Sequence, residues 1–324
     1  MAARSQKNVF DAFSRHFSKI QANVEQVIQG KSEVVRLAIV TLVAEGHLLV
    51  EDVPGVGKTM LAKSLARSLG CSFRRIQFTP DLLPTDITGV RIFTHDKREI
   101  EFRPGPIFAQ VVLGDEINRA SPKTQAALLE CMEEQQVTLD GDTYELERPF
   151  MVIATQNPIE HEGTYPLPEA ELDRFLLRVR VGYPEPRDEV EVLSVHERSG
   201  RVDDLDPVAK AGDIVKMIEI AASVHVADSL KVYIVDLLNA TRGHRDTQLG
   251  ASPRAGLMLM RAARALAASE GREFVTPDDV KQLAEPVLAH RLILTPEAQL
   301  AGVSADDVVA DALEEVPVPA RSRR

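Results

Sequence analysis

The stretch His47-Leu48-Leu49-Val50-Glu51-Asp52-Val53-Pro54-Gly55-Val56-Gly57-Lys58-Thr59-Met60 decides the fold. Its apolar start, His47 to Val50, reads as a short strand, and the following segment, Lys58 to Leu69, repeats leucine at 61, 65 and 69, the spacing of one helical face. Between them lies a loop whose glycines, Gly55 and Gly57, adopt positive φ at little steric cost. Strand, glycine loop and helix in that order build a phosphate cradle: backbone N–H groups turn inward at the positive end of the helix. Lys58 supplies a point charge for the β- and γ-phosphates, and Thr59 places a hydroxyl where a Mg²⁺ ion sits. The candidate binding residues are therefore Asp52, Val53, Pro54, Gly55, Val56, Gly57, Lys58, Thr59 and Met60, and the expected ligand is a nucleoside triphosphate with its metal. One position departs from the generic pattern G-x-x-x-x-G-K-[ST], which has glycine where this chain has Asp52.

The 324 residues suffice for two domains, and 44% hydrophobic content fits a globular protein. Lys and Arg total 38 against 49 Asp and Glu, a formal charge of −11 that disfavours non-specific attraction to a polyanion. No apolar run near the N-terminus resembles a signal peptide, and the most apolar stretch, 34–50, is broken by Arg36, Glu45 and His47, so a cytoplasmic protein without a membrane segment is expected. The two cysteines, Cys71 and Cys131, have neither metal-site spacing nor the number for a disulfide framework, and read as buried thiols.

Residues 5–45 read as helices, with Val9, Phe13, Phe17 and Ile20 on one face. Strand-like runs follow at 47–50, 74–78, 109–113, 150–154 and 176–181, several separated by helical patterns, which argues a parallel sheet covered on both faces. Two segments read as hairpins: 90–102, turning near His95-Asp96-Lys97, and 137–146, with Asp140-Gly141 at its tip. Tyr183-Pro184-Glu185-Pro186 marks a boundary, beyond which the pattern is helical. Ser252-Pro253, Thr276-Pro277 and Ser304 with Asp307 read as helix starts. The expected domains are 1–184 (N-terminal helices and nucleotide-binding core with the two hairpins), 185–316 (helical), and 317–324 (a disordered tail).

Val111-Val112-Leu113-Gly114-Asp115-Glu116 is an apolar strand ending in two carboxylates, the second half of a triphosphate site. Asp115 holds the hydration shell of Mg²⁺ opposite Thr59, and Glu116 aims the water that attacks the γ-phosphate and accepts its proton. The strings Asp115-Glu116-Ile117-Asn118-Arg119-Ala120-Ser121-Pro122, Phe78-Thr79-Pro80-Asp81-Leu82-Leu83-Pro84 and Gly163-Thr164-Tyr165-Pro166-Leu167-Pro168-Glu169-Ala170 resemble the MoxR family of AAA+ ATPases, over about residues 20 to 317. The family often writes the glycine loop as Glu-Gly-Val-Pro-Gly or Glu-Asp-Val-Pro-Gly, which accounts for Asp52.

The resemblance implies a hexameric ring of αβα P-loop cores, each with a parallel five-stranded sheet and a smaller all-helical lid, that binds ATP and Mg²⁺ and hydrolyses ATP. It implies roles for three further residues. Asn157 matches the polar sensor of the γ-phosphate, although Thr155-Gln156-Asn157-Pro158 also reads as a turn. Arg174 resembles the finger arginine that reaches the neighbouring subunit's γ-phosphate, its alternative being a salt bridge to Asp173 or Glu171; Arg254 resembles the lid arginine that closes over the same phosphate. Val27 and Ile28, with Gly30, match the segment packed on the adenine. The two hairpins match the insertions of the helix-2-insert branch, where Arg91, Lys97, Arg98 and Arg103 are candidates to meet a client. The implied function is a chaperone or motor that remodels partner proteins, among them ones with a von Willebrand factor A domain, through ring-wide ATP cycles. The alternatives are a nucleic-acid motor, disfavoured by the acidic balance, and a nucleotide-gated binding module with little turnover, which predicts erosion of Glu116, Asn157 or Arg174.

Overall fold

The computed structural model describes residues 2–53, 55–94, 99–157, 164–183 and 202–319. Pro54, the hairpin turn at 95–97 with Lys97 and Arg98, residues 158–163, residues 184–201 at the expected domain boundary and the tail from 320 lie outside them.

Helices α1 (Ala2–Glu25) and α2 (Ser32–Val43) precede the first strand, β1 (Leu48–Glu51), which leads through the glycine loop into α3 (Lys58–Ser68). After β2 (Phe73–Gln77) and the short α4 (Pro84–Thr88) comes the hairpin β3 (Gly89–Thr94) and β4 (Glu99–Pro104). Strand β5 (Val111–Asp115) carries the paired carboxylates, α5 (Pro122–Glu134) follows, and β6 (Gln136–Leu139) with β7 (Asp142–Glu145) forms the second hairpin. Strand β8 (Met151–Gln156), α6 (Glu169–Leu172) and β9 (Leu177–Val179) complete the core. Five strands make one parallel sheet in the order β2-β5-β8-β1-β9.

All five strands sit one or two residues from their expected bounds. The largest shift is β5, which begins at Val111 because Gln110 is already engaged: its N–H donates to Ser72 Oγ (2.9 Å) and its side-chain oxygen accepts from Ser72 N–H (3.1 Å). Asp115 is consequently the last residue of the strand. The turn of the β6–β7 hairpin is as expected, with Asp140 (φ 51°) and Gly141 (φ 91°) both left-handed.

Both sheet faces are covered. One face packs Leu49, Val112, Val152 and Ala154 against α4 and α5 through Ile87, Leu128 and Leu129. The other packs Leu48, Val50, Leu113 and Ile153 against α2 and α3, and this core continues into the C-terminal helices. Each fully buried Leu or Ile contributes about 2 kcal/mol. Cys131 is buried and Cys71 half-buried; both are free, and burial pushes each thiol up to about 12.

The described part of the lid comprises α7 (Ala211–Ala222), α8 (Asp228–Gly243), α9 (Pro253–Ser269), α10 (Pro277–Leu288), α11 (Pro296–Leu300) and α12 (Ala305–Glu315). The expected caps are present: Ser252, Thr276 and Ser304 accept from the N–H groups of Ala255, Asp279 and Asp307. The helical lid also holds a short antiparallel pair, β10 (Thr247–Leu249) with β11 (Ile293–Leu294), too brief to show a period in sequence.

Arg91 has partners within the chain. Its guanidinium pairs with Asp142 and donates to Tyr144 Oη (3.1 Å), while the Phe102 ring stacks on that of Tyr144 (4.2 Å), so it braces the two hairpins against each other. Arg103 is exposed on β4.

Candidate functional site

Parallel strands end on the same side of a sheet, so β1, β5 and β8 deliver their C-terminal residues to one edge. The glycine loop leaves β1 there. Gly55 and Gly57 have φ of 89° and 90°, and an added Cβ would meet nothing within 4 Å at either, so glycine is required here by conformation. Lys58 is buried and its Nζ donates to the carbonyl of Asp52 (2.6 Å). Thr59 lies in the first turn of α3, half-buried, and Val56 and Met60 pack against the core.

Asp52 does not adopt a positive φ, so glycine is not needed at this position. Its carboxylate accepts from the N–H of Val53 (2.8 Å) and from the N–H of Gly182, just past β9. The same stretch receives Lys31 Nζ on the carbonyl of Tyr183 (2.8 Å). Lys31, which follows the turn carrying Val27 and Ile28, is thereby linked through residues 182–183 to the start of the glycine loop.

Asp115 and Glu116 end β5 on this edge. The buried Asp115 carboxylate is satisfied on both oxygens: Oδ1 accepts from Thr155 Oγ1 (2.6 Å), and Oδ2 from Nε and Nη2 of Arg75 (3.1 and 2.6 Å). Thr155 also accepts from the Glu116 N–H (2.9 Å). Glu116 is left-handed (φ 58°), a strained conformation for a side-chain-bearing residue, and its Oε2 accepts from Gln77 Nε2 (2.9 Å) with Arg119 Nε at 3.4 Å. Asn157 follows β8 directly and is buried; its neighbour Gln156 pairs with Glu51 and accepts from the Asp52 N–H (3.1 Å). Sequence reasoning missed Arg75, Gln77 and Thr155; the only signal, the closeness of Thr155 to Asn157 in the chain, does not say that β8 neighbours β5.

These groups fit a magnesium nucleotide. Mg²⁺ keeps much of its water and takes one or two protein oxygens besides the phosphates, and a hydroxyl with one carboxylate is such a donor set. Among the described residues no group of three or more His, Cys, Asp or Glu is placed to hold a metal by itself.

Arg174 and Arg254 lie at the opposite edge. Arg174 precedes β9, whose Leu177 is level with Leu48 of β1, and it shares a cleft of about 370 Å³ with His47, Glu133, Arg148, Arg254 and Arg261. The strand β1 separates this cleft from the glycine loop, about 13 Å at the usual rise. Arg174 pairs with Glu133 (3.4 Å) rather than with Asp173 or Glu171. Asp173 is taken by the buried Arg291 (2.7 Å), whose guanidinium also donates to the carbonyl of Phe175, and by Ser252 Oγ (3.3 Å). Arg254 donates to the same Glu133 (2.7 Å).

His47 anchors this edge: its Nδ1 accepts from Val152 N–H and its Nε2 donates to the Met132 carbonyl, both at 3.0 Å. Burial lowers its pKa from 6.5 to about 4, against the raising effect of the Met132 bond, with Arg261 adding to the fall. Above pH 6.5 it is neutral both folded and unfolded; between 6.5 and about 4 the unfolded chain binds a proton the folded chain refuses. Stability therefore falls across that window by about 3 kcal/mol from this residue. His290, also lowered by burial, acts in the same sense. Urea unfolding of His47→Gln should show a pH slope shallower than wild type by about one proton in this window; an identical slope would show that His47 is not protected.

A glycine-loop αβα core with a helical lid defines an AAA+ ATPase. The model of the ATPase family associated with various cellular activities (AAA) matches residues 47–177, and that of the AAA lid domain matches 239–312. The chain is 44% identical to Chaperone MoxR1 of Mycobacterium tuberculosis, covering 91% of this chain and 80% of that one, and 33% identical to Protein MoxR of Paracoccus denitrificans, covering 97% and 99%. It is 50% identical to the uncharacterised YeaC of Bacillus subtilis over 93% of this chain and 94% of that one. The crystal structure of a protein from Cytophaga hutchinsonii superposes with a TM-score of 0.92 at 36% identity, covering 99% of this chain and all of the other. The chain belongs to the MoxR family of AAA+ ATPases. No helix among the described residues is long and apolar enough to cross a membrane.

Proposed function

We propose that the chain works as a ring, a hexamer by its family resemblance, in which ATP held by one subunit is hydrolysed with help from the next. Residues 52–60 cradle the phosphates, with Lys58 turning from the Asp52 carbonyl to the phosphate oxygens. Val27 and Ile28 pack on the adenine. Thr59 and, through water, Asp115 hold Mg²⁺, which neutralises charge on the phosphates when bound. Glu116 takes the proton of the attacking water, and Asn157 orients that water. Arg174 and Arg254 serve the neighbour's γ-phosphate.

One observation carries this reading: the cradle and carboxylates lie at one edge of the sheet and both arginines at the other. This chain by itself does not bring all of them together, whereas a head-to-tail ring would. The work of the cycle is the remodelling of a client protein, supported by the similarity to a chaperone and by the exposed, mutually opposed Phe93 and Ile100 on the β3–β4 hairpin. The family resemblance points to clients with a von Willebrand factor A domain and to a cytoplasmic site of action. Specific ATPase activity should rise with protein concentration as rings assemble, followed by light scattering on the same samples. A turnover per chain that is constant down to the monomer would overturn the ring reading.

A further inference from the structure

Glu133 stands where helix chemistry disfavours it. The last turn of α5 carries Glu133 and Glu134 with no basic residue, against the negative end of the helix dipole. The helix then ends on Gln135 in the left-handed region (φ 51°), a conformation usual for glycine or asparagine. Local rules are broken twice at one helix end, as happens where function sets the residues.

The side chain shows what that function is. Glu133 Oε1 accepts from Arg254 Nη1 (2.7 Å), and Oε2 faces Arg174 Nη2 (3.4 Å), one carboxylate oxygen for each guanidinium. Two arginines in one cleft repel, the more so with Arg148 and Arg261 lining it as well. A carboxylate between them cancels that repulsion and fixes their spacing. Each arginine spends one N–H on Glu133 and keeps others for phosphate oxygens. The backbone that carries Glu133 is anchored, since the carbonyl of the preceding residue, Met132, is bonded to the buried His47. The two arginine-bearing segments are further joined by Ser252 Oγ on Asp173.

We propose that Glu133 is a positioning residue that holds Arg174 and Arg254 as a preformed pair for the phosphoryl group carried by a second copy of the chain. This rests on the ring reading above. Glu133→Gln preserves volume and removes charge. It should bind a fluorescent ATP analogue as wild type does, because its own cradle is untouched, while kcat falls on the order of tenfold, the loss typical of a residue that orients a working group. Glu133→Asp, shorter but charged, should retain more activity than Glu133→Gln.

Mixing supplies the readout that a merely structural role would not move. Lys58→Ala subunits carry an intact Glu133 with both arginines, so mixing them with Glu133→Gln should recover activity per intact nucleotide site. Wild-type kcat in Glu133→Gln, with Arg174→Ala inactive, would overturn the proposal and leave the ring reading standing. A loss in Glu133→Gln that mixing does not repair, under conditions where Arg174→Ala is repaired, would make Glu133 a residue of its own chain's stability and also overturn it. Wild-type turnover by Arg174→Ala would overturn the ring reading itself, and this inference with it.

Discussion

Arg174→Ala is expected to bind ATP with nearly wild-type affinity and to hydrolyse it on the order of 10³-fold more slowly, the low end for arginines that stabilise charge on a transferring phosphoryl group. The reason is positional. Arg174 lies across β1 from the glycine loop of its own chain, so its removal leaves the cradle of Lys58 and Thr59 intact. Its structural cost is small, because the pair with Glu133 is long and partly exposed and such pairs contribute about 0–1 kcal/mol. The fold at this edge rests instead on Arg291, which is 2% exposed and pairs with Asp173. Lys58→Ala is expected to be inactive for the converse reason: it would have a sound arginine and an empty cradle. Interfaces between the two variants join an intact site to an intact arginine, so mixtures of two separately inactive proteins should regain ATPase activity at intermediate ratios. If mixed rings form and activity stays at background at every ratio, Arg174 does not act across the interface; if Arg174→Ala alone keeps wild-type activity, Arg174 is a structural residue.

What could be read from the chain alone was local. The left-handed Gly55 and Gly57 ahead of α3, the Asp140-Gly141 turn and the Ser252, Thr276 and Ser304 caps each depend on residues within a few positions of one another, and all are in place. What could not be read depends on which strands become neighbours. Arg75, Gln77 and Thr155 act on Asp115 and Glu116 only because β2 and β8 flank β5, an order that no spacing along the chain specifies. Glu133 is invisible for a different reason: an acidic residue at an exposed helix end looks like solvated surface until the arginines from 174 and 254 arrive beside it. The same distance in sequence hid the partner of Arg174, for which adjacent carboxylates at 171 and 173 were the nearest candidates.

Lys58→Ala and Glu116→Gln should both abolish turnover but part company on binding. The Lys58 ammonium is buried beside the loop and donates to the Asp52 carbonyl; removing it deletes the cation expected to hold the phosphates, and the hydrogen bond to Asp52 that goes with it is worth about 1 kcal/mol to the fold. ATP binding should therefore be lost from a protein that still unfolds cooperatively. Glu116 contributes no group to the cradle. Its carboxylate is aimed by Gln77 Nε2 from the neighbouring strand β2, and its backbone is held in the left-handed region by the N–H bond to Thr155, an arrangement that glutamine tolerates as well as glutamate does. Glu116→Gln thus removes a proton acceptor and little else. It should keep ATP at wild-type affinity while hydrolysis falls on the order of 10³-fold, within the range for loss of a general base. Calorimetric titration with ATP and a phosphate-release assay separate the two variants. Equal loss of ATP binding in both would show that Glu116 holds the nucleotide rather than the water, and would move the site of proton transfer off this carboxylate.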